Sequence, residues 1–305
     1  MKYYFGKVGQ ALITIILVTL LSFILVNLSK VDPATAYCQR QYIISEEKIN
    51  EVKETMGLNK PIIEQYKIWA INILKGDFGI SYVSGKPVRP ELFQAMTYTT
   101  KIVLLATLIQ GLGSLIFGYM FYIFRSRPLG KVFHIVSILG ISIPSFIIAG
   151  SILEIFANYL GIIKISGNEG LAKYLPAAIS FSISGIAYFG KLLMTNIENL
   201  MKGKDVFYAR TLGLTEREIL KYFIMKRAIL ILLPSFMQMM AMCFAGSILV
   251  EQVFGLPGIG GLIIDSVLMR DAPTIYGIIL LLGITFVLFD TMANLINEKG
   301  AYYVK

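Results

Sequence analysis

Six stretches of this sequence are long and apolar enough to cross a bilayer: residues 8–28, 97–124, 132–160, 175–200, 228–250 and 275–296. Covering the hydrocarbon takes about 20 mostly apolar residues, and a helix satisfies its own backbone hydrogen bonds there. The pattern therefore predicts an all-α polytopic membrane protein with about six transmembrane helices. Composition agrees: only 15% of residues are charged, against about 25% in soluble domains, and the mean hydropathy is +0.69. A disordered chain, a disulfide-framed miniprotein and an ordinary soluble enzyme are excluded.

The net charge is +9, from 28 Lys and Arg against 19 Asp and Glu. In a soluble protein that excess suggests nucleic acid; in a membrane protein it reports sidedness, and no nucleic-acid partner is expected. With the N-terminus inside, segments 1–7, 125–131, 201–227 and 297–305 are cytoplasmic and hold fourteen Lys and Arg. The short outer segments hold only Lys164, Lys173 and Arg270. Both termini are thus expected in the cytoplasm. The first apolar run follows Lys2 and Lys7, and Ala34 and Ala36 resemble a cleavage site. It exceeds the about 7–15 residues of a signal core and is read as a retained span.

Three parts follow: 1–29, the N-terminus and first span; 30–96, a polar extracytoplasmic subdomain; and 97–305, five further spans with a basic inner loop at 201–227. The outer segment from 29 to 96 mixes nine cations with eight acids. Ser45 is placed as an N-cap, with Lys48 where a capping box has Glu, and Gly57 as the helix stop. Ile49, Val52 and Met56 form that helix's apolar face. A second amphipathic stretch, 62–74, carries Ile63, Tyr66, Trp69 and Ile73 on one side. Trp69 suits either the headgroup level or packing inside the subdomain.

The inner loop reads as a short helix, a glycine turn and a second amphipathic helix. Tyr208-Ala209-Arg210 leads to Gly213; Thr215 takes the N-cap position and Glu218 the capping-box position. Alone, this is either a basic loop on the cytoplasmic side or an exposed helix that docks into a groove of a soluble partner.

Ala209 and Gly213 resemble the second alanine and the glycine of the coupling-loop motif of ABC-importer permeases, an EAA-like run followed by three residues and a glycine. Arg210 and Leu214 resemble the form found in the oligopeptide/nickel branch. Phe207 and Tyr208 stand where the motif has Glu and Ala, Phe223 and Arg227 replace its downstream His and Asn, and Pro234 follows later than usual. The resemblance extends along the chain: Asp32-Pro33-Ala34, Gly57-Leu58-Asn59-Lys60-Pro61 and Gln65-Tyr66, then Gly76-Asp77-Phe78-Gly79-Ile80-Ser81 for "GDxGxS". Ile143-Pro144-Ser145-Phe146 and Leu175-Pro176-Ala177 fit the third and fourth spans. Glu251 to Gly260 is similar to "VExxFxxPGxG", and Arg270-Asp271-Ala272-Pro273 follows. Residues 300–305 lack the usual "DPR" ending.

The resemblance implies a non-enzymatic permease subunit in a prokaryotic plasma or inner membrane. A second permease would complete the pathway. Two ATPase subunits, which bind the ATP and magnesium, would grip Tyr208, Ala209, Arg210, Gly213 and Leu214. An extracytoplasmic lipoprotein would deliver substrate, and this chain itself would carry no cofactor. Asp32-Pro33-Ala34 with Tyr37, the Asp77–Ser81 variant and the aromatic-Ala-Arg form resemble the nickel branch, so chelated nickel is preferred over di- or oligopeptides.

Other patterns are weighed against this. Gly185 to Leu192 approaches a phosphate-binding loop, but Leu192 replaces the hydroxyl and the stretch lies in a span. Lys191, Glu198 and Asp290 are charged residues within spans; Asp290 is expected to face the bundle or pair with a cation, as a structural or gating group. Glu251 at the outer end of the fifth span, and Glu154 near that of the third, are candidates for the substrate entrance. Met237 and Met240 share a face of the fifth span and offer soft pathway surface, with no metal site assigned. One histidine, His134, and two distant cysteines, Cys38 and Cys243, give no metal-binding or disulfide spacing. Pro144, Pro176 and Pro234 supply bends or hinges, and Gly111, Gly113 and Gly118 permit close helix contact. A membrane receptor or scaffold, or an intramembrane enzyme, is the alternative of a different class. The enzyme would need paired acids, a Ser/Lys or Ser/His pair or H-E-x-x-H, and none occurs.

Overall fold

The computed structural model describes residues 2–28, 33–42, 45–159, 161 and 173–304. Asp32, Leu160, Lys164 and Lys305 lie outside the described residues. The protein is all-helical; among the described residues, β pairing is limited to an isolated antiparallel bridge between Ile80 and Pro87. Among the described residues, five helices are long and apolar enough to cross a membrane, and a bent pair supplies up to a sixth crossing.

The bent pair corrects the third apolar stretch, which is not one straight span. Helices α6 (Pro128–Ser142) and α7 (Ser145–Leu153) meet at 97°. Proline has no N–H and crowds the residue before it out of the helical region. Ile143 accordingly turns extended, at φ −83 and ψ 120, and Pro144 becomes the N-cap of α7. The second helix expected in the inner loop is also not separate. A single turn, α10 (Glu216–Glu218), runs through a π-helical stretch (Ile219–Ile224) into α11 (Met225–Val253), with Pro234 inside.

One compact unit comprises Met1–Thr99 and Leu256–Val287. It contains α1 (Lys2–Asn27), α2 (Pro33–Arg40), α3 (Glu46–Thr55), α4 (Ile62–Leu74), the start of α5 (Val88–Phe124), α12 (Ile259–Leu268) and the first part of α13 (Ala272–Val304). Gly57, at φ +68, ends α3; its N–H bonds the Glu54 carbonyl and the Leu58 N–H bonds that of Lys53, a Schellman closure. Ser45 holds the N-cap position without a side-chain cap bond. Along α4, Tyr66 and Trp69 pack inward while Ile63 is 66% exposed. Trp69 contacts Phe23 edge-on at 5.3 Å, and Phe23 stacks on Tyr276 at 3.7 Å. The Tyr66 and Thr19 hydroxyls share a 3.0 Å hydrogen bond. Trp69 is thus packed among Phe23, Tyr66 and Tyr276.

A buried carboxylate holds the loop before α5. Asp271 accepts from the Ser81 hydroxyl at 2.5 Å, the Tyr82 N–H at 2.9 Å and the Thr274 hydroxyl at 2.8 Å. Arg40 donates to the carbonyls of Met269 and Tyr82. Burial, and then the Asp271 carboxylate, push the Tyr82 phenol up to about 12. The "GDxGxS" and "RDAP" segments are therefore two halves of one hydrogen-bonded cluster.

The other unit comprises Thr100–Gly255 and Leu288–Lys305. Its most buried helix is α8 (Leu175–Leu200): 56% of its membrane window is buried, against 17% for α1. Glycines let neighbours approach it. A Cβ on Gly118 would lie 2.6 Å from the Gly190 carbonyl oxygen, and one on Gly140 would lie 2.6 Å from Ala187 Cβ. Gly113 faces Ile186, Gly185 faces Gln110, and Gly111 meets Phe236 of α11. The phosphate-loop look-alike is thus a run of helix contacts.

Two outcomes follow from this packing. Asp271→Ala orphans several buried donors and should cost about 1–3 kcal/mol, read as a lower thermal unfolding temperature in detergent. Asp271→Asn, which keeps one acceptor oxygen, should lose less. Gly118→Val should destabilise by about 1–3 kcal/mol through overpacking, whereas Gly283→Ala, with nothing within 4 Å of the added carbon, should not.

Candidate functional site

Segment 201–227 folds as a helix, a closed turn and a capped helix. α9 (Lys204–Thr211) starts at Gly203, and Asp205 in its first turn is hydrogen-bonded to the Arg227 guanidinium. Gly213 adopts φ +84, a region glycine occupies without a Cβ clash. Its N–H bonds the Arg210 carbonyl at 3.0 Å, and the Leu214 N–H bonds the Ala209 carbonyl at 3.2 Å. Ala209, Arg210, Gly213 and Leu214, the positions singled out in the sequence, are thus the residues of a Schellman turn.

The turn is braced on both sides. Arg210 Nε donates to Glu216 at 2.7 Å. Thr215 and Glu218 form the expected reciprocal capping box, with the Thr215 N–H 2.8 Å from Glu218 Oε2. Hydrogen bonds from the Thr215 backbone N–H, then from its hydroxyl, hold the Glu218 carboxyl below its ordinary range. At Asp205, burial opposes ionisation, but the Arg227 bond and charge outweigh it and the carboxyl is lowered.

Inward, Val206, Ile219, Leu220 and Ile224 join a buried cluster with Phe189, Leu193 and Ile197 of α8 and Ala228 of α11. Outward, Phe207, Tyr208, Leu212, Tyr222 and Phe223 are between 51% and 80% exposed. Phe207 and Tyr208, the departures from the family motif, therefore add aromatic surface. Large apolar residues on the outer face of a basic loop were the signal in the sequence for it.

The charged residues within spans are placed differently from one another. Asp290 of α13 is half-buried and meets amides rather than a cation: Asn294 Nδ2 donates to it at 3.0 Å and Gln238 Nε2 of α11 at 3.4 Å. Asn294, one helical turn on, was legible as an i,i+4 pair; Gln238 was not. Glu251 does not open toward an entrance in the single chain. It is fully buried, and the Ser247 hydroxyl one turn earlier donates to it at 2.9 Å. Met237 and Met240 are half-buried, Met242 is 65% exposed and Cys243 is buried. Lys191 is half-buried in α8, Glu198 pairs with Lys202 at 3.7 Å, and Glu154 is exposed in the π-helical stretch Glu154–Tyr159 after α7. Among the described residues, no three His, Cys, Asp or Glu form a metal-holding group.

The capping box should govern local opening. Thr215→Ala removes one reciprocal bond and should cost about 1 kcal/mol of local stability, seen as faster amide exchange over 216–224. Because the Glu218 carboxyl is lowered, the cap is complete above a carboxyl's ordinary value near ~4.3 and lost as pH falls through the lowered one. Exchange protection there should hold from neutral pH to about 5 and decline below about 4.

Comparisons with known sequences cover most of the chain. Residues 114–299 match the family described as "Binding-protein-dependent transport system inner membrane component", and residues 1–102 match its N-terminal component model. The nickel import system permease protein NikB of Staphylococcus aureus (strain USA300) is 29% identical over 292 residues, 95% of this chain and 88% of that protein. Its counterpart in strain MRSA252 is 29% identical over 289 residues, 94% and 87% of the two chains. A solved structure described as an amino acid ABC transporter with histidines aligns at a TM-score of 0.46 and 18% identity, over 70% of this chain and 93% of that one.

Proposed function

The chain belongs to the family of binding-protein-dependent transport system inner membrane components, and from that premise we propose that it forms half of the pathway of an ATP-driven nickel importer. In this reading the metal travels as a chelate. A second permease supplies the other half, two ATPase subunits bind ATP and magnesium, and an extracytoplasmic lipoprotein delivers the substrate. Both termini and the loop 201–227 face the cytoplasm, which the distribution of Lys and Arg supports. Similarity to the nickel permeases of S. aureus over 95% of the chain supports the choice of metal.

The observation that carries the coupling role is the Schellman turn closed by Ala209, Arg210, Gly213 and Leu214. A lever transmits force only if it does not flex. The turn, the Arg210–Glu216 bond and the capping box join α9 to the helix that continues into α11. Exposed Tyr208, Phe207 and Leu212 give an ATPase groove apolar anchors. When the ATPases close on ATP they displace α9. Val206 and the Asp205–Arg227 bond pass that movement to α8 and α11 as a rigid-body shift. Glu251 braces the outer end of α11 through Ser247, and Met237 and Met240 provide adaptable surface along the same helix.

Gly213→Val forces a β-branched residue into a left-handed turn, a strain of about 1–3 kcal/mol. It should abolish co-purification of the ATPase subunits and reduce uptake while leaving membrane insertion intact. Deleting the gene should remove high-affinity uptake of radiolabelled nickel. Continued nickel uptake, with loss of di- or oligopeptide uptake instead, would reject the metal assignment.

A further inference from the structure

Asp290 lies within the apolar helix Ala272–Glu298, and Gln238 lies within Glu216–Val253. Eight residues separate Asp290 from Glu298, and eleven separate Gln238 from Arg227. At about 1.5 Å per residue the two side chains lie roughly 12–16 Å inside the nearest charges of the inner boundary. A carboxylate at that depth is costly unless it faces protein or water. Its partners here are neutral. The amides of Asn294 and Gln238 both donate to it, and among the described residues no Lys, Arg or His pairs with it.

The same place is open. Gln238 is exposed, and Ile231, Met242 and Leu249 share its side of α11 at helical spacing and are also exposed. That face cannot rest against lipid with a carboxylate beside it, so it borders either water or another protein surface. With both amide nitrogens turned toward Asp290, the amide oxygens of Gln238 and Asn294 remain available as acceptors. A carboxylate beside two amide carbonyls attracts a cation. These groups are too few to strip a metal of its own ligands.

Building on the reading of this chain as an importer permease, we infer that Asp290, Gln238 and Asn294 form a cation-contact site on the pathway wall. It takes a cation or a positively charged metal chelate in passing, and it gives a neutral solute no advantage.

The test uses the whole importer with its binding protein, reconstituted in proteoliposomes with ATP. The probes are nickel with equimolar histidine, whose 1:1 chelate is a cation, a lysine-containing dipeptide and dialanine. Asp290→Asn keeps the size of the group and one acceptor oxygen while removing the charge. It should lower uptake of every cationic probe the wild type carries by about tenfold or more, with subunit assembly, unfolding temperature and dialanine uptake unchanged; Asp290→Glu should recover part of the loss. Gln238→Cys should react with a water-soluble methanethiosulfonate in the assembled importer, above the level of the parent chain. Wild-type rates for cationic probes in Asp290→Asn, an equal loss for neutral and cationic probes, or an unreactive Cys at 238 would each overturn the site. If the wild type carries the lysine-containing dipeptide but no nickel, the nickel reading fails while the site is still judged by Asp290→Asn.

Discussion

Within hydrocarbon a helix spends its backbone hydrogen bonds on itself, so helices hold one another through shape and close contact. The region around α8 is built on that constraint. Gly113, Gly118, Gly140, Gly185 and Gly190 remove side chains where another helix must pass, and a Cβ at any of them would collide with a neighbour. Above and below these contacts Phe189, Leu193 and Ile197 fill the core. The result is a helix in close contact with its neighbours.

The loop 201–227 shares that packing. Its core-facing residues belong to the same buried cluster as α8 and the start of α11. Its outward residues are large, apolar and exposed, which suits a surface gripped by another protein. A turn closed by two backbone bonds and flanked by a capping box is a compact way to stiffen this segment. This also gives the motif a physical meaning: two of its positions supply carbonyls, and the glycine supplies the dihedral angle that lets N–H groups reach them.

Polar chemistry is handled in opposite ways in two places. Around Asp271 the donors are Ser81 and Tyr82 of the loop before α5 and Thr274 in the first turn of α13, and the carboxylate is buried with these three partners. Around Asp290 the partners are two amides and the side opens outward. The first arrangement locks a loop; the second leaves an electrostatic demand that something outside the chain must meet.

Hydropathy located the apolar helices and the basic loop 201–227, and the residue types alone placed the Gly57 stop, the Gly213 turn and the Thr215–Glu218 box. These features depend on residues within one or two turns of each other, where local geometry decides. Proline at 144 marked a bend, but its 97° size depends on what the two halves pack against. Pairings across long separations were decided only by the tertiary structure: Ser81 with Asp271 across 190 positions, and Gln238 with Asp290 across 52. No period or propensity relates such residues. They meet because separate helices and loops are brought together by packing, and packing depends on the shape of every side chain at once.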